Sequence, residues 1–220
     1  MIKLSKRLEA ISSLVPVNSK VIDVGCDHAL LDIYLYQHKI SNKIIASDVN
    51  ENALNNAKEN IKEHKLTNQI ETRLGNGLDT LNEKDNIDTV IMSGIGAHTI
   101  IGILKNNYHK LKNINTIIIQ SNTKLFFLRK EMMKLNYKID NEIIVLDNKK
   151  TYIIIKYIKG TQKYTKKELY FGPILLKNNS KLFEDYKKIE LEKLHMILKL
   201  LPKNKIIERY KIKKEIKLFK

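Results

Sequence analysis

The stretch Val21–Leu35, VIDVGCDHALLDIYL, decides how the rest of the chain is read. Val21–Val24 is a short β-branched run, Gly25 interrupts it, and from Ala29 to Gln37 apolar residues recur at helical spacing. That is a strand passing into a helix through a tight loop. Asp23, Asp27 and His28 crowd around Gly25. A plain core does not place ionisable groups where a strand leaves a sheet, so this loop reads as the rim of a site.

The same alternation continues outward. Apolar residues at Leu4, Leu8, Ile11 and Leu14 predict a helix over 3–14 that Pro16 ends. Further strands are expected at 43–46, 69–74, 87–92 and 116–119, with helices at about 50–63, from His98, and over 124–135. Lys138–Leu146 and Tyr152–Ile158 read as a closing hairpin around Asp147-Asn148-Lys149-Lys150. Strands alternating with helices predict a mostly parallel sheet covered on both faces. A terminal hairpin makes one late strand antiparallel, unlike a plain dinucleotide-binding fold. The pattern resembles the seven-stranded, Rossmann-like sheet of class I methyltransferases, an α/β fold whose expected strand order is 3-2-1-4-5-7-6.

In such a sheet the ligand lies at the carboxyl ends of the strands. The first loop has only Gly25 where a dinucleotide fingerprint needs three glycines, and Asp27 stands where a diphosphate would be repelled. A cationic, phosphate-free cofactor, S-adenosyl-L-methionine, is compatible with Asp23, Gly25 and Asp27. Asp48, followed by Val49, is placed either to accept ribose hydroxyls or to serve the N-terminus of the next helix. Asn76 and Gly77, in Gly75-Asn76-Gly77, either face an adenine edge or form a simple turn. Ser93 and Gly94, in Ser93-Gly94-Ile95-Gly96, leave room for a flat acceptor or for a tight turn. His28 is either a polar helix start or an orienting group. Cys26 reads as a buried filler, and no His or Cys spacing suggests a metal site, so none is expected.

The formal net charge is +16. From Gly160 to Lys220 there are 17 Lys and Arg against 7 Asp and Glu, which leaves +10 for that segment and +6 for the rest. AT-rich coding inflates Lys, Asn and Ile together, but it does not place the charge. A basic segment points to a polyanion, either nucleic acid or a membrane surface. Lys163–Lys167 reads as a linker and Phe171-Gly172-Pro173 as a turn. Leu182, Tyr186, Ile189, Leu194, Ile197 and Leu201, then Ile206, Ile207, Tyr210 and Ile216 beyond Pro202, predict an antiparallel coiled-coil helical hairpin. Two domains are expected, 1–160 and 161–220. The start of the chain has no apolar signal core, no apolar run spans a membrane, and a single cysteine excludes a disulfide framework, so a cytoplasmic protein is expected.

Several segments together resemble the bacterial tRNA (adenine(22)-N1)-methyltransferases: Lys3–Leu8, Asp23-x-Gly-x-Asp-His-Ala-x-Leu, Gly-Asn-Gly-Leu at 75–78, Ser-Gly-Ile-Gly at 93–96, Gln120-x-Asn122 and Phe171-Gly172-Pro173-x-Leu175. The likeness covers nearly the whole chain. It departs from the family pattern at Leu30 for Tyr, Asn76 for Asp, Ala97 for Gly and Ser121 for Pro. The resemblance implies methyl transfer from S-adenosyl-L-methionine to N1 of an adenine in the D-loop region of tRNA. Asp27 is then expected to balance charge on the methylated base, with His28 or Asn122 orienting it. Arg7 is expected at the cofactor carboxylate or an RNA phosphate. The basic hairpin is expected to bind tRNA, and the protein to be a monomer or weak dimer. Two rival readings carry through: a methyltransferase for a small molecule or protein, and a non-catalytic RNA-binding module on the same fold.

Overall fold

The computed structural model describes residues 2–220. The chain divides into two compact units that meet between Lys163 and Tyr164.

The first unit runs α1 (Lys6–Ser12), β1 (Ser19–Val24), α2 (Leu30–Gln37), β2 (Ser41–Asp48), α3 (Glu51–Glu63), β3 (Ile70–Leu74), β4 (Thr89–Ile95), α4 (Ala97–Asn106), β5 (Thr116–Ser121), α5 (Leu125–Lys134), β6 (Tyr137–Asp147) and β7 (Lys150–Lys159). The seven strands form one sheet in the order β3-β2-β1-β4-β5-β7-β6. β1 to β5 pair in parallel, and β7 lies antiparallel to both β5 and β6. The order expected from the sequence is therefore the order found. Successive side chains on a strand serve opposite faces. Val21, Ile44, Ala46, Ile91, Ile118 and Ile154 join one core with α1, α2 and α3. Ile22, Ile45, Val90 and Ile117, one residue out of phase, are fully buried on the other face, where α4 and α5 pack.

The elements differ from the sequence expectation mainly at their ends. α1 starts at Lys6 because the Ser5 side chain accepts from the Leu8 N–H and caps the helix. β2, β4 and β5 run two to three residues further, to Asp48, Ile95 and Ser121. Backbone pairing continues there through polar residues that the apolar pattern does not mark. The hairpin turn is tight: Asp147 pairs with Lys150, and Asn148 and Lys149 take φ of 47° and 63°. Two central residues with positive φ match the right-handed twist of the strands. Arg129 of α5 and Glu142 of β6 form a fully buried ion pair at 2.9 Å.

The second unit contains α6 (Lys166–Phe171), α7 (Pro173–Asn178), α8 (Lys181–Leu200) and α9 (Ile206–Ile216). The expected linker at 163–167 is corrected here. Thr165 and Glu168 form a reciprocal capping box, so the helix begins at Lys166. Gly172, at φ 96°, lets the chain turn directly into α7. α8 and α9 fold back on each other. Arg209 at the start of α9 donates to the carbonyls of Leu198 and Leu201 at the end of α8, while Phe219 beyond α9 and Phe183 at the start of α8 both pack on Phe171. Among the described residues no helix is long and apolar enough to cross a membrane.

Candidate active site

The carboxyl ends of β1 and β2 are locked together. Gly25 N–H and Cys26 N–H both donate to the Ser47 carbonyl, at 2.8 and 3.1 Å. Gly25 takes φ 78° and Asp27 φ 53°, so the loop folds back sharply before α2. An Asp tolerates that left-handed conformation better than most side chains. The Asp48 carboxylate accepts from Asn50 N–H at 2.8 Å and from Asp27 N–H at 3.4 Å. It therefore helps to start α3, whose cap is Asn50 itself, and still faces the loop. Asp27 and His28 are exposed, with Asp27 Oδ1 3.6 Å from His28 Nε2. Val49, next to Asp48, is 73% exposed, an apolar surface beside the carboxylate. Gly75 N–H donates to the Asp48 carbonyl and brings the exposed Asn76 alongside, while Gly77 is buried behind it.

Asp23, at the end of β1, is buried, and its Oδ1 has no hydrogen-bond partner. Burial, then the negative charge of Asp48, raises its carboxyl to about 7, while Arg7 pulls the other way. Asp32 on α2 is fully buried with neither carboxylate oxygen partnered. Burial, then Asp23, pushes its titration well above the usual range. Burial also pushes the Cys26 thiol up, which keeps it protonated and unreactive.

A second cluster occupies the ends of β4 and β5. Arg7 donates to Ser93 Oγ at 3.1 Å and to Gln120 Oε1 at 3.0 Å. Gln120 Oε1 also accepts from Gly94 N–H at 3.0 Å, and its Nε2 donates to Asn122 Oδ1 at 3.1 Å. Asn122 Nδ2 donates back to the Gly94 carbonyl at 3.0 Å. The Asn122 amide is thus fixed in orientation, and its second lone pair and second N–H stay free at the exposed rim. Gln120 pairs with Ile154, so the hairpin beyond it, from Tyr152 to the turn, overhangs this edge of the sheet. Asp147 on that overhang accepts from Arg7 N–H at 3.1 Å, and the Arg7 guanidinium lies 5.5 Å from the Tyr152 ring.

The structure brings Asp27, His28, Asp48, Val49 and Asn76 to one side of the rim and Arg7, Ser93, Gly94 and Asn122 to the other. Asp23 and Gly25 lie between them: a Cβ on Gly25 would meet Ile95 Cδ1 at 3.3 Å, and Arg7 acts on Asp23. Asp27 and His28 do not bond to Asn122. Three further residues adjoin these: Gln120 bonds Arg7 and Asn122, Asp32 feels the charge of Asp23, and Tyr152 lies under the Arg7 guanidinium. Cavities of about 130 and 350 Å³ open at the opposite, amino-terminal edge of the sheet, around His109 and Lys112, and share none of these residues.

An open parallel sheet with one reversed strand next to its edge, acids ending β1 and β2, and no glycine-rich phosphate loop define a class I, Rossmann-like methyltransferase. A family model described as tRNA (adenine(22)-N(1))-methyltransferase matches residues 21–220, and the chain belongs to that family. The tRNA (adenine(22)-N(1))-methyltransferase of Bacillus subtilis is 28% identical over 154 residues, 70% of this chain. That match spans 64% of the relative's length, just under two thirds. M. capricolum TrmK, solved with S-adenosyl-homocysteine, is 33% identical with a TM-score of 0.89 over 98% of this chain and 96% of that one. A Streptococcus pneumoniae protein solved with S-adenosyl-L-methionine is 32% identical with a TM-score of 0.91 over 100% and 98% of the two chains.

Proposed function

We propose that the protein transfers a methyl group from S-adenosyl-L-methionine to N1 of adenine 22 of tRNA. The observation that carries this reading is the pair of acids on adjacent strand ends, Asp23 and Asp48, with a buried, unpartnered oxygen on Asp23. An orphaned acceptor of that kind suits a cationic ligand group and repels a phosphate. The residues present therefore fit the cofactor. Asp23 would take its ammonium group, Asp48 its ribose hydroxyls, Val49 and Asn76 its adenine, and Gly25 and Gly94 leave room for close approach. When bound, S-adenosyl-L-methionine supplies a methyl carbon already activated by a sulfonium centre.

The chain's own residues align and neutralise. A cation beside Asp23 favours its carboxylate, so cofactor binding near neutral pH releases a proton from that side chain. Arg7 holds Gln120, and Gln120 holds Asn122. The free oxygen lone pair of Asn122 is set to accept from the exocyclic amine of an adenine while leaving its N1 lone pair exposed. Methylation at N1 makes the base cationic, and the carboxylate of Asp27 provides the compensating charge. His28, beside Asp27, orients that carboxylate. Adenine N1 is on the pairing edge, so the base must leave any partner before it reacts. The second unit, with 16 Lys and Arg against 7 Asp and Glu from Tyr164 onward, supplies salt-sensitive phosphate contacts. The protein acts in the cytoplasm, as a monomer or weak dimer.

The test is methylation of an unmodified tRNA transcript followed by nucleoside mass spectrometry. N1-methyladenosine at position 22 is expected; its absence at every position refutes the reading. Asp27→Asn, which keeps the left-handed backbone, should lower turnover at least a hundredfold with cofactor affinity little changed. Asp48→Asn should chiefly weaken cofactor binding.

A further inference from the structure

Between β4 and β5 the rim carries a group that neither the acids nor the amide network engages. His98 is the second residue of α4, and its ring centroid lies 4.3 Å from that of Phe127 in the first turn of α5, with the planes inclined at 38°. Lys124 Nζ lies 2.9 Å from His98 Nε2. An ammonium only donates, so a hydrogen bond there uses the Nε2 lone pair. Lys124 itself takes φ 53° and ψ 46° immediately before α5, a left-handed conformation for a residue that makes no capping bond. His98 and Lys124 are exposed and Phe127 is half-buried. The group sits beside the acceptor amide. Lys124 is two residues past Asn122, the Asn122 side chain bonds across to Gly94, and a Cβ on Gly96 would meet Thr123 Oγ1 at 3.8 Å.

We propose that His98 and Phe127 form a stacking shelf for an unpaired nucleobase of the RNA acceptor, with Lys124 contacting the phosphate of the same nucleotide. The proposal rests on the reading that the β4–β5 end faces that acceptor. The chemistry fits RNA on two counts. Every base presents a π-face, so a shelf of aromatic rings accepts it without regard to sequence. An ammonium on a flexible stem is a point charge suited to phosphate. When phosphate draws Lys124 away, His98 Nε2 is released and the imidazole remains a flat stacking surface. A basic protein partner is disfavoured by the net charge of +16.

The experiment uses the full chain with an unmodified tRNA transcript. Its affinity is measured by filter binding from 50 to about 300 mM salt, with S-adenosyl-L-methionine affinity by calorimetry as the folding control. The double variant His98→Ala/Phe127→Leu should bind tRNA about five- to a hundredfold more weakly at every salt concentration, with the logarithmic salt slope unchanged. Lys124→Asn, which tolerates the left-handed backbone, should shallow that slope by about 0.7, one phosphate on a single strand. Both variants should bind the cofactor as the wild type does. If the wild type methylates tRNA but the double variant binds it within twofold of wild type, the shelf is refuted while the proposed activity stands. Variants that melt lower yet keep wild-type tRNA affinity refute it equally, because the rings then only pack. If the wild type methylates no tRNA, the activity and the shelf both fall.

Discussion

Asp23→Asn should stabilise the cofactor-free protein, and only above about pH 4. In the folded chain the Asp23 carboxyl is buried beside Asp48, with one oxygen unpartnered, and titrates at about 7 instead of 3.8. Below the lower value both the folded and the unfolded chain carry the proton, and burial costs nothing extra. Between the two values the unfolded chain has lost a proton that the folded chain keeps. The folded state then binds more protons, so its stability falls as pH rises. Each pH unit in that window costs about 1.4 kcal/mol, and the loss reaches roughly 4 kcal/mol above pH 7. Asparagine has the same shape and no charge to desolvate, so the variant escapes the loss. Urea unfolding of the cofactor-free protein from pH 4.5 to 8 measures it. The difference in unfolding free energy between Asp23→Asn and wild type should be near zero at the acid end. It should climb through pH 5 and 6 and level off above 7. A difference that is flat with pH, or that shrinks as pH rises, would refute the reasoning. Saturating S-adenosyl-L-methionine should narrow the gap, since it stabilises only the protein that binds it well.

Glu142→Ala removes the carboxylate that pairs with the buried Arg129 guanidinium and should cost about 3–5 kcal/mol in a urea titration; a loss under about 1 kcal/mol would refute a net contribution from the pair. Gly77→Ala is both strained and crowded, because Gly77 has φ +58° and an added Cβ would lie 2.6 Å from Ile103 Cγ2. A loss of about 1–3 kcal/mol is expected from thermal melting. Arg7→Met keeps much of the apolar stem but removes the Nη1 donor that bonds both Ser93 and Gln120. Turnover on tRNA should fall at least tenfold, and equal turnover would show that the network does not need Arg7.

The strands, the closing hairpin that reverses one of them and the acids at the ends of β1 and β2 were legible in the sequence, because each leaves a local signal, whereas the strand order came from the resemblance to class I methyltransferases. Val21–Val24 can only be a buried strand, and Gly25 marks where it must turn. Gln120 and Asp32 were less legible. Each looks like a polar residue attached to an apolar run, IIIQ or LLDI, and only the neighbours supplied by other elements reveal its partners or the lack of them. The same holds for Tyr152, which reaches the rim because the hairpin overhangs β5, a matter of register that periodicity does not encode. α6 was hidden because its capping box, Thr165 with Glu168, sits inside a lysine-rich stretch that resembles a linker. The separation of Asp27 from Asn122 is also tertiary information: spacing along the chain assigns each to a strand end but says nothing about which side of the rim it faces.

Arg7 bonds to Ser93, Gln120 and Asp147, residues 86, 113 and 140 positions further along the chain. During synthesis the two acids proposed to hold the cofactor, Asp23 and Asp48, have been made once β1 and β2 have emerged. Arg7, made before either, meets Ser93 and Gln120 only once β4 and β5 have emerged, and Asp147 only with the β6–β7 turn. A chain interrupted short of the β6–β7 turn would thus lack Asp147, which accepts from the Arg7 backbone N–H, so that α1 is fastened to the hairpin only when the first unit is complete.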